Sequence, residues 1–154
     1  RRISCLGPNG IQRETAGMDI RGIHSTYFGR VCPIETPEGQ NAGLVNSLTI
    51  FSTKNADGFL ESIFYKIYKG QIQKQLEPIW LTADHEQKVR IHFGDTQLSE
   101  SHFLKNQTLT ARYQQQFVRT SQKHIQLGLC SSFQMISIAT SLIPFLEHND
   151  ANRA

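Results

Sequence analysis

The chain has 154 residues, 38% of them hydrophobic and 19% charged, with a formal net charge of +3 at pH 7. This length is enough to bury one domain core, and the mildly basic balance permits a nucleic-acid partner without requiring one. No apolar run approaches the roughly 18 residues of a membrane span, and three widely spaced cysteines favour free thiols in a reducing compartment over a disulfide framework.

Residues 1–43 are rich in turn-forming residues. They hold seven of the eleven glycines and three of the five prolines, with turn signals at GPNG (7–10) and PEG (37–39). We therefore predict ordered loops lying on a scaffold, which is a common location for functional residues.

The basic residues of this first zone are all arginines: Arg1, Arg2, Arg13, Arg21 and Arg30. The planar fork of arginine suits phosphate and carboxylate recognition better than the point charge of lysine. Two interpretations stay open. The arginines contact an anionic ligand, or they tie loops together through Glu14, Asp19 and Glu35.

The next segment, GLVNSLTIFSTKN (43–55), places Leu44, Leu48 and Phe51 at helical spacing. We predict a short helix that ends near Asn55 to Gly58.

Residues 58–120 have the character of a small β-rich lobe. Four segments combine aromatic and β-branched residues with partial alternation, which predicts strands. They are GFLESIFYKIYKG, LEPIWL, KVRIHF and part of TARYQQQFVRT. Lysine largely replaces arginine here. We interpret the lobe as a supporting or peripheral module.

The zone from about residue 121 is predicted to contain helical segments. FQMISIATSLI (133–143) has apolar residues at helical spacing, Ser131 or Ser132 can cap the helix, and Pro144 should end it. The three zones together predict an α+β fold, divided into a loop-rich region at 1–57, a β-rich lobe at 58–120 and the start of a further region, with helical segments, at 121–154.

A second helix start is predicted at the end of the chain, where Asn149 or Asp150 can cap a helix that begins with ANRA. A helix N-terminus presents free N–H groups and a partial positive charge. Arg153 in its first turn would make an anion site suited to a triphosphate. An ordinary capped helix with a surface arginine is the alternative that the local pattern leaves open.

Several common catalytic motifs are missing from the sequence. It has no GxxxxGK[ST], GxGxxG, GxSxG or HExxH string. The aspartates form no DxD cluster and the histidines lack the spacing of metal ligands. We therefore predict no metal site in this chain.

Three long strings carry a specific resemblance. They are RRISCLGPNG (1–10), GRVCPIETPEGQNAGLVNSL (29–48) and SLIPFLEHNDANRA (141–154). They resemble the β subunit of bacterial-type multisubunit DNA-directed RNA polymerase, in its plastid-encoded form. The resemblance covers the whole chain in order and is loosest in the middle. It implies an internal segment of a longer subunit that makes RNA on a DNA template from ribonucleoside triphosphates.

The resemblance implies that the segment lines the active-centre cleft. GPNGIQRETAG (7–17) is similar to the fork loop beside downstream DNA, which makes Arg13 a nucleic-acid-proximal residue. Arg153 matches an arginine that contacts the triphosphate of the incoming nucleotide, with Asp150 close by. No catalytic residue is implied in this segment, and Mg²⁺ is expected on the partner β′ subunit.

Two further segments are similar to the walls of the pocket that binds rifamycin-type inhibitors, next to the path of the nascent RNA. The implied pocket residues are Arg2, Ser4, Leu6, Gly7, Pro37, Glu38, Asn41 and Val45. Ala42 and Val45 are smaller than the isoleucines usual in the family, so we expect a looser apolar wall. Asn9 replaces a usual glycine of the first turn, where asparagine tolerates positive φ.

The implied partners are the DNA template, the RNA product, ribonucleoside triphosphates, and the β′, α and sigma-type subunits, with no membrane. The divergent middle favours a plastid-encoded subunit in the chloroplast, and a bacterial cytoplasm is the alternative. The residues alone leave two other function classes open. These are a weak nucleic-acid-binding module and a stand-alone hydrolase using Cys32 or Cys130.

Overall fold

The computed structural model describes residues 2–93, 102–105 and 108–150. The chain divides into two compact units, the first formed by Arg1–Thr53 with Phe133–Ala154 and the second by Lys54–Ser132. Strands and short helices occur together, which confirms the α+β class. The division at 57/58 and 120/121 concerns functional regions of a larger subunit and stays a prediction.

The described elements are short. The strands are β1 (Arg2–Ser4), β2 (Val45–Ser47), β3 (Thr53–Lys54), β4 (Leu60–Tyr68), β5 (Gln71–Ile72), β6 (Ile79–Leu81), β7 (Ile91–His92), β8 (Thr108–Tyr113), β9 (Gln116–Ser121) and β10 (Leu127–Leu129). The α-helices are α1 (Ala83–Glu86) and α2 (Ile138–Ser141), and 3-10 turns cover Arg13–Thr15, Asp19–Arg21, Ser25–Tyr27, Gly39–Asn41, Gln122–His124, Ser132–Met135 and Leu146–His148. No described helix has both the length and the apolar character that crossing a bilayer requires.

The second unit is organised around one mainly antiparallel sheet. Its strand order is β3-β4-β10-β7-β8-β9, and β5 and β6 also pair with β4. The strands predicted in residues 58–120 are confirmed. TARYQQQFVRT forms the β8–β9 hairpin, which turns at Gln114 and Gln115, both with positive φ.

The two faces of this sheet bury different chemistry. Ile67, Leu109 and Ala111 belong to a buried apolar cluster. Arg112 follows Ala111 on β8 and so points to the opposite face, where its Nη1 donates to Oε1 of Glu86 at the end of α1. Both members of this ion pair are almost completely buried. The pair therefore joins α1 to the sheet.

The first unit depends on contacts between segments that are distant in sequence. β1 pairs antiparallel with β2. The N–H of Ile50 donates to the carbonyl of Ile136 over 3.1 Å, and Sγ of Cys32 lies 3.4 Å from Oγ1 of Thr140. These contacts bring the segment that contains Ile136 and Thr140 onto the residues around Cys32 and Ile50.

The predicted helix at 43–55 is wrong. Val45–Ser47 is a strand, because β1 supplies a pairing partner that satisfies its backbone. Gly43, with φ of +76°, turns the chain into this strand. Leu44 is fully buried all the same. A short apolar run cannot distinguish a helix from a strand, and tertiary pairing decides between them here.

The continuous helix predicted at 133–143 is also wrong. A 3-10 turn precedes α2, and Ser137 caps α2 by accepting a hydrogen bond from the N–H of Thr140 over 3.3 Å. The buried positions are the polar Gln134, Ser137 and Thr140, whereas Phe133 is exposed. Of the apolar residues at helical spacing, Phe133 is exposed and Ile136 and Ile143 are half-buried, so the periodicity does not mark a buried face. The helix predicted to begin with ANRA lies outside the described residues.

We expect Arg112→Met to destabilise the second unit strongly. The change removes the cation that pairs with the buried Glu86 carboxylate, and breaking a buried ion pair on one side costs about 3–5 kcal/mol. Urea unfolding followed by the fluorescence of Trp80, the only tryptophan, measures this. Lys88→Met, at an exposed position, is the control. A midpoint equal to that of the control would contradict the prediction.

We also expect the stability of the second unit to depend on pH through the protonation of His92. Its Nδ1 is buried and has no hydrogen-bond partner among the described residues, and burial lowers its pKa against a smaller opposing effect of the Thr110 backbone. The unfolded chain then binds the proton more tightly. The unfolding free energy should therefore decrease as the pH falls below the ordinary histidine value of 6.5.

The His92 prediction is checked by urea unfolding at a series of pH values. His92→Leu should flatten the decrease near pH 6.5, whereas His124→Leu, at an exposed position, should retain it. Identical pH profiles for the two variants would show that another group titrates.

Candidate functional site

The pairing of β1 with β2 brings together two segments that the sequence places about forty residues apart. The register joins Arg2 to Ser47 and Ser4 to Val45. The N–H of Cys5 continues the contact by donating to the carbonyl of Leu44 over 2.8 Å. The two walls predicted for an inhibitor pocket are therefore neighbours.

A cavity of about 210 Å³ lies beside this pairing. It is lined by Arg2, Glu35, Thr36, Pro37, Val45, Asn46 and Ser47. Of the eight predicted pocket residues, Arg2, Pro37 and Val45 line it, and the other five (Ser4, Leu6, Gly7, Glu38 and Asn41) do not. Drug-sized ligands occupy roughly 300–1,000 Å³, so this cavity would seat only part of one.

Glu35 and Thr36 were not among the predicted pocket residues, although they precede Pro37 in the same string. Oγ1 of Thr36 donates to the carbonyl of Val45 over 2.9 Å and accepts from the N–H of Gly43 over 2.8 Å. Thr36 therefore holds the segment before Pro37 against the start of β2. A hydroxyl inside a turn-rich string is the sequence signal that could have identified it.

Arg21 ties the loops of this unit together. Its Nη1 donates to the carbonyls of Gln40 and Ala42, each over 2.8 Å, and its Nη2 donates to the carbonyl of Arg13 over 3.4 Å. The hypothesis of loop-tying arginines thus holds for Arg21, but its described acceptors are backbone carbonyls and not the proposed acids. A Cβ at Gly43 would collide with the backbone of Arg21, so the two segments pack closely.

Arg13, the predicted nucleic-acid contact, is exposed on its 3-10 turn. The turn is short and is closed by the N–H of Ala16, which donates to the carbonyl of Arg13 over 3.4 Å. The preceding turn is closed by the N–H of Gly10, which donates to the carbonyl of Gly7. The positive φ of this turn is at Gly7, and Asn9 does not adopt one. The position suits contact with a partner, and the contact itself stays a prediction.

The proposed triphosphate site is described only in part. Asp150 is exposed after the turn at Leu146–His148. Arg153 lies outside the described residues. Their pairing around a helix start therefore stays a prediction.

The cysteines differ in environment. Burial raises the pKa of the Cys32 thiol, but hydrogen bonds from Thr140 and from the backbone outweigh it, so that the pKa lies below the ordinary value. Burial raises the pKa of Cys130 to about 11, which keeps that thiol protonated. The described side chain bonded to Cys32 is the hydroxyl of Thr140 and not a basic group. This arrangement gives little support to a cysteine hydrolase.

Removing the Arg21 guanidinium should loosen the 39–44 segment. Arg21→Ala deletes three hydrogen bonds to carbonyls, and one charged hydrogen bond contributes about 1.5 kcal/mol, so the amides of Ala42 and Leu44 should exchange about tenfold faster. Hydrogen exchange measured by NMR or mass spectrometry checks this. Arg119→Ala, at an exposed strand position, is the control. Unchanged exchange at both amides would show that Arg21 does not hold the segment.

Comparisons with known proteins agree with the resemblance. The family model for RNA polymerase Rpb2, domain 3, matches residues 1–53. In the described part of the chain, no three His, Cys, Asp or Glu side chains lie close enough together to hold a metal ion. The following relatives are similar along the whole chain.

The chain is 56% identical over 154 residues to the DNA-directed RNA polymerase subunit beta of Oltmannsiellopsis viridis. It is 57% identical to that of Tupiella akineta and 46% identical to that of Synechococcus elongatus. All of this chain is covered in each case, but only 11%, 7% and 14% of the three relatives. The chain belongs to the family of DNA-directed RNA polymerase β subunits.

Proposed function

We propose that this chain is the part of a DNA-directed RNA polymerase β subunit that lines the active-centre cleft. It positions nucleic acid and the incoming nucleotide during DNA-templated RNA synthesis from ribonucleoside triphosphates. One observation carries the proposal, namely the 46–57% identity to subunits of that name along the entire chain. The loops held by Arg21 and by the β1–β2 pairing are the parts that would face nucleic acid.

The chemistry assigned to the complete enzyme is nucleotidyl transfer, in which the RNA 3′ hydroxyl attacks the α-phosphate and pyrophosphate leaves. The described residues of this chain do not fit a Mg²⁺ site, because no three carboxylate, imidazole or thiol groups converge. We assign the ion to the partner β′ subunit. This chain then contributes positioning and positive charge, which act on a charged transition state without forming a covalent bond.

Two arginines have separate proposed roles. Arg13, exposed on its short turn, would contact a phosphate of the downstream DNA or brace the loop against it. Arg153 would bind the triphosphate of the incoming nucleotide, with Asp150 beside it. A guanidinium suits both roles because its planar fork can make two parallel hydrogen bonds to phosphate oxygens.

The β1–β2 region is the proposed wall of a rifamycin-type inhibitor pocket. Arg2, Pro37 and Val45 line the described cavity and supply a cation and two apolar surfaces. The cavity is too small for a whole inhibitor of drug size, so the remaining predicted residues would contact ligand outside it. The smaller Ala42 and Val45 leave less apolar surface than isoleucines would.

The proposed partners are template DNA, product RNA, ribonucleoside triphosphates, and the β′, α and sigma-type subunits. The relatives include algal subunits and cyanobacterial subunits of the same name. Both a plastid and a bacterial cytoplasm are compatible with these relatives. We propose the plastid, because the higher identities are to the algal subunits.

The triphosphate role is tested by Arg153→Ala in the assembled polymerase. Losing a charged hydrogen bond of about 1.5–3 kcal/mol should raise the apparent KM for nucleotides roughly tenfold or more, and DNA binding should change less. Nucleotide-addition kinetics and DNA filter binding measure the two effects. Arg119→Ala is the control, because it also removes one arginine, at an exposed strand position. An unchanged nucleotide response in Arg153→Ala would reject the assignment.

A further inference from the structure

The β4–β5 hairpin of the second unit places aromatic and basic side chains on one outer face. Tyr68 on β4 pairs with Gln71 on β5, and Gln71 also bridges to Phe103. Directly paired residues share a face, so the two aromatic side chains lie on the same side, two strands and roughly 10 Å apart. Lys66 lies two residues before Tyr68 on β4 and therefore points the same way.

The opposite face of the same strands is the apolar core. Ile67, Ile72 and Leu104 alternate in sequence with the outer residues and pack in the buried cluster. The core therefore fixes the strands while the outer rings stay accessible. Tyr68 is 64% exposed and Phe103 is 44% exposed.

The surroundings of these rings are basic. Lys66, Lys69 and Lys105 are exposed. The sequence has no Asp or Glu anywhere in residues 62–76 or 101–146, the two stretches that contain these lysines and rings. These two stretches therefore carry a local excess of positive charge, which attracts anions.

The hairpin turn presents a further cation. Lys69 and Gly70 have φ of +49° and +79°, a turn geometry in which glycine and asparagine are the usual residues. Lys69 occupies this position, and its Nζ lies 5.3 Å from the centroid of the Tyr68 ring. The turn thus places an ammonium group next to an exposed aromatic surface.

We propose that this basic aromatic patch, formed by Lys66, Tyr68, Lys69, Gln71, Phe103 and Lys105, binds a single strand of nucleic acid. Lysines match the phosphate backbone, and exposed rings offer stacking surfaces to unpaired bases. A duplex keeps its bases stacked inside and would leave the rings unused. An acidic protein segment would satisfy the lysines but would give the two flat rings no stacking partner.

The test uses polymerase assembled with a full-length β subunit that contains this chain, held in an elongation complex on a fixed scaffold. Anisotropy titrations with a fluorescein-labelled oligouridylate are made over a series of KCl concentrations. One variant removes two charges, Lys66→Gln with Lys69→Gln, and another removes both rings, Tyr68→Ala with Phe103→Ala. Lys54→Gln with Lys88→Gln makes the matched charge change at exposed positions outside the patch.

The charge variant should reduce the slope of log K against log salt by roughly 1.4, because each contact to a single-stranded phosphate contributes about 0.7. The ring variant should weaken binding roughly tenfold with little change in slope. The control should match the unmodified enzyme. Nucleotide addition by the same preparations reports separately on the proposed polymerase function.

Three results would overturn the proposal. The first is equal oligouridylate affinity in the patch and control variants. The second is that the patch variants lose the binding of a polyglutamate peptide but keep the binding of oligouridylate. This result would assign the surface to an acidic protein. The third is that the charge variant weakens the binding of a DNA duplex as much as that of oligouridylate, while the ring variant has no effect on either. This result would exclude a single strand as the specific ligand.

Discussion

The antiparallel pairing of Arg2–Ser4 with Val45–Ser47 is the constraint on which the candidate site depends. Without it the first ten residues and the PIETPEG string would have no fixed relation, because the intervening chain consists of short turns. Gly43 comes just before the second of these strands, and its left-handed φ and missing side chain let the backbone of Arg21 pack closely against it. Thr36 and Arg21 then fix the loops by hydrogen bonds to carbonyls.

In the second unit, strand β4 contributes to both faces of the sheet. Its alternation sends Phe64 and Ile67 to opposite faces, and both are buried. The face of Ile67 packs in the apolar core cluster, whereas the other face includes the buried pair of Arg112 and Glu86. Toward the hairpin end the second face is left uncovered in the described structure. Its exposed aromatic and basic residues lie there.

Agreement between sequence and structure follows the length and regularity of each pattern. The strand at 60–68 is long, contains aromatic and β-branched residues and is paired on both sides, so local preference and tertiary pairing agree. At Val45–Ser47 they conflict, and the partner strand decides. At 133–143 the apolar period is real, but the most deeply buried positions are polar ones such as Gln134 and Thr140. A periodic pattern identifies a face and does not say which side is solvent.

The sequence by itself determined the α+β class, the strands of the middle zone and, through three long strings, membership of the polymerase β family. These depend on local preferences and on residue identities that can be read in order. Only the tertiary structure decided which pocket residues line one cavity, that Arg21 binds carbonyls, and that Tyr68 and Phe103 share a face. Each of these joins residues separated by about 20 to 40 positions, and such contacts arise from pairing and packing that no local pattern encodes.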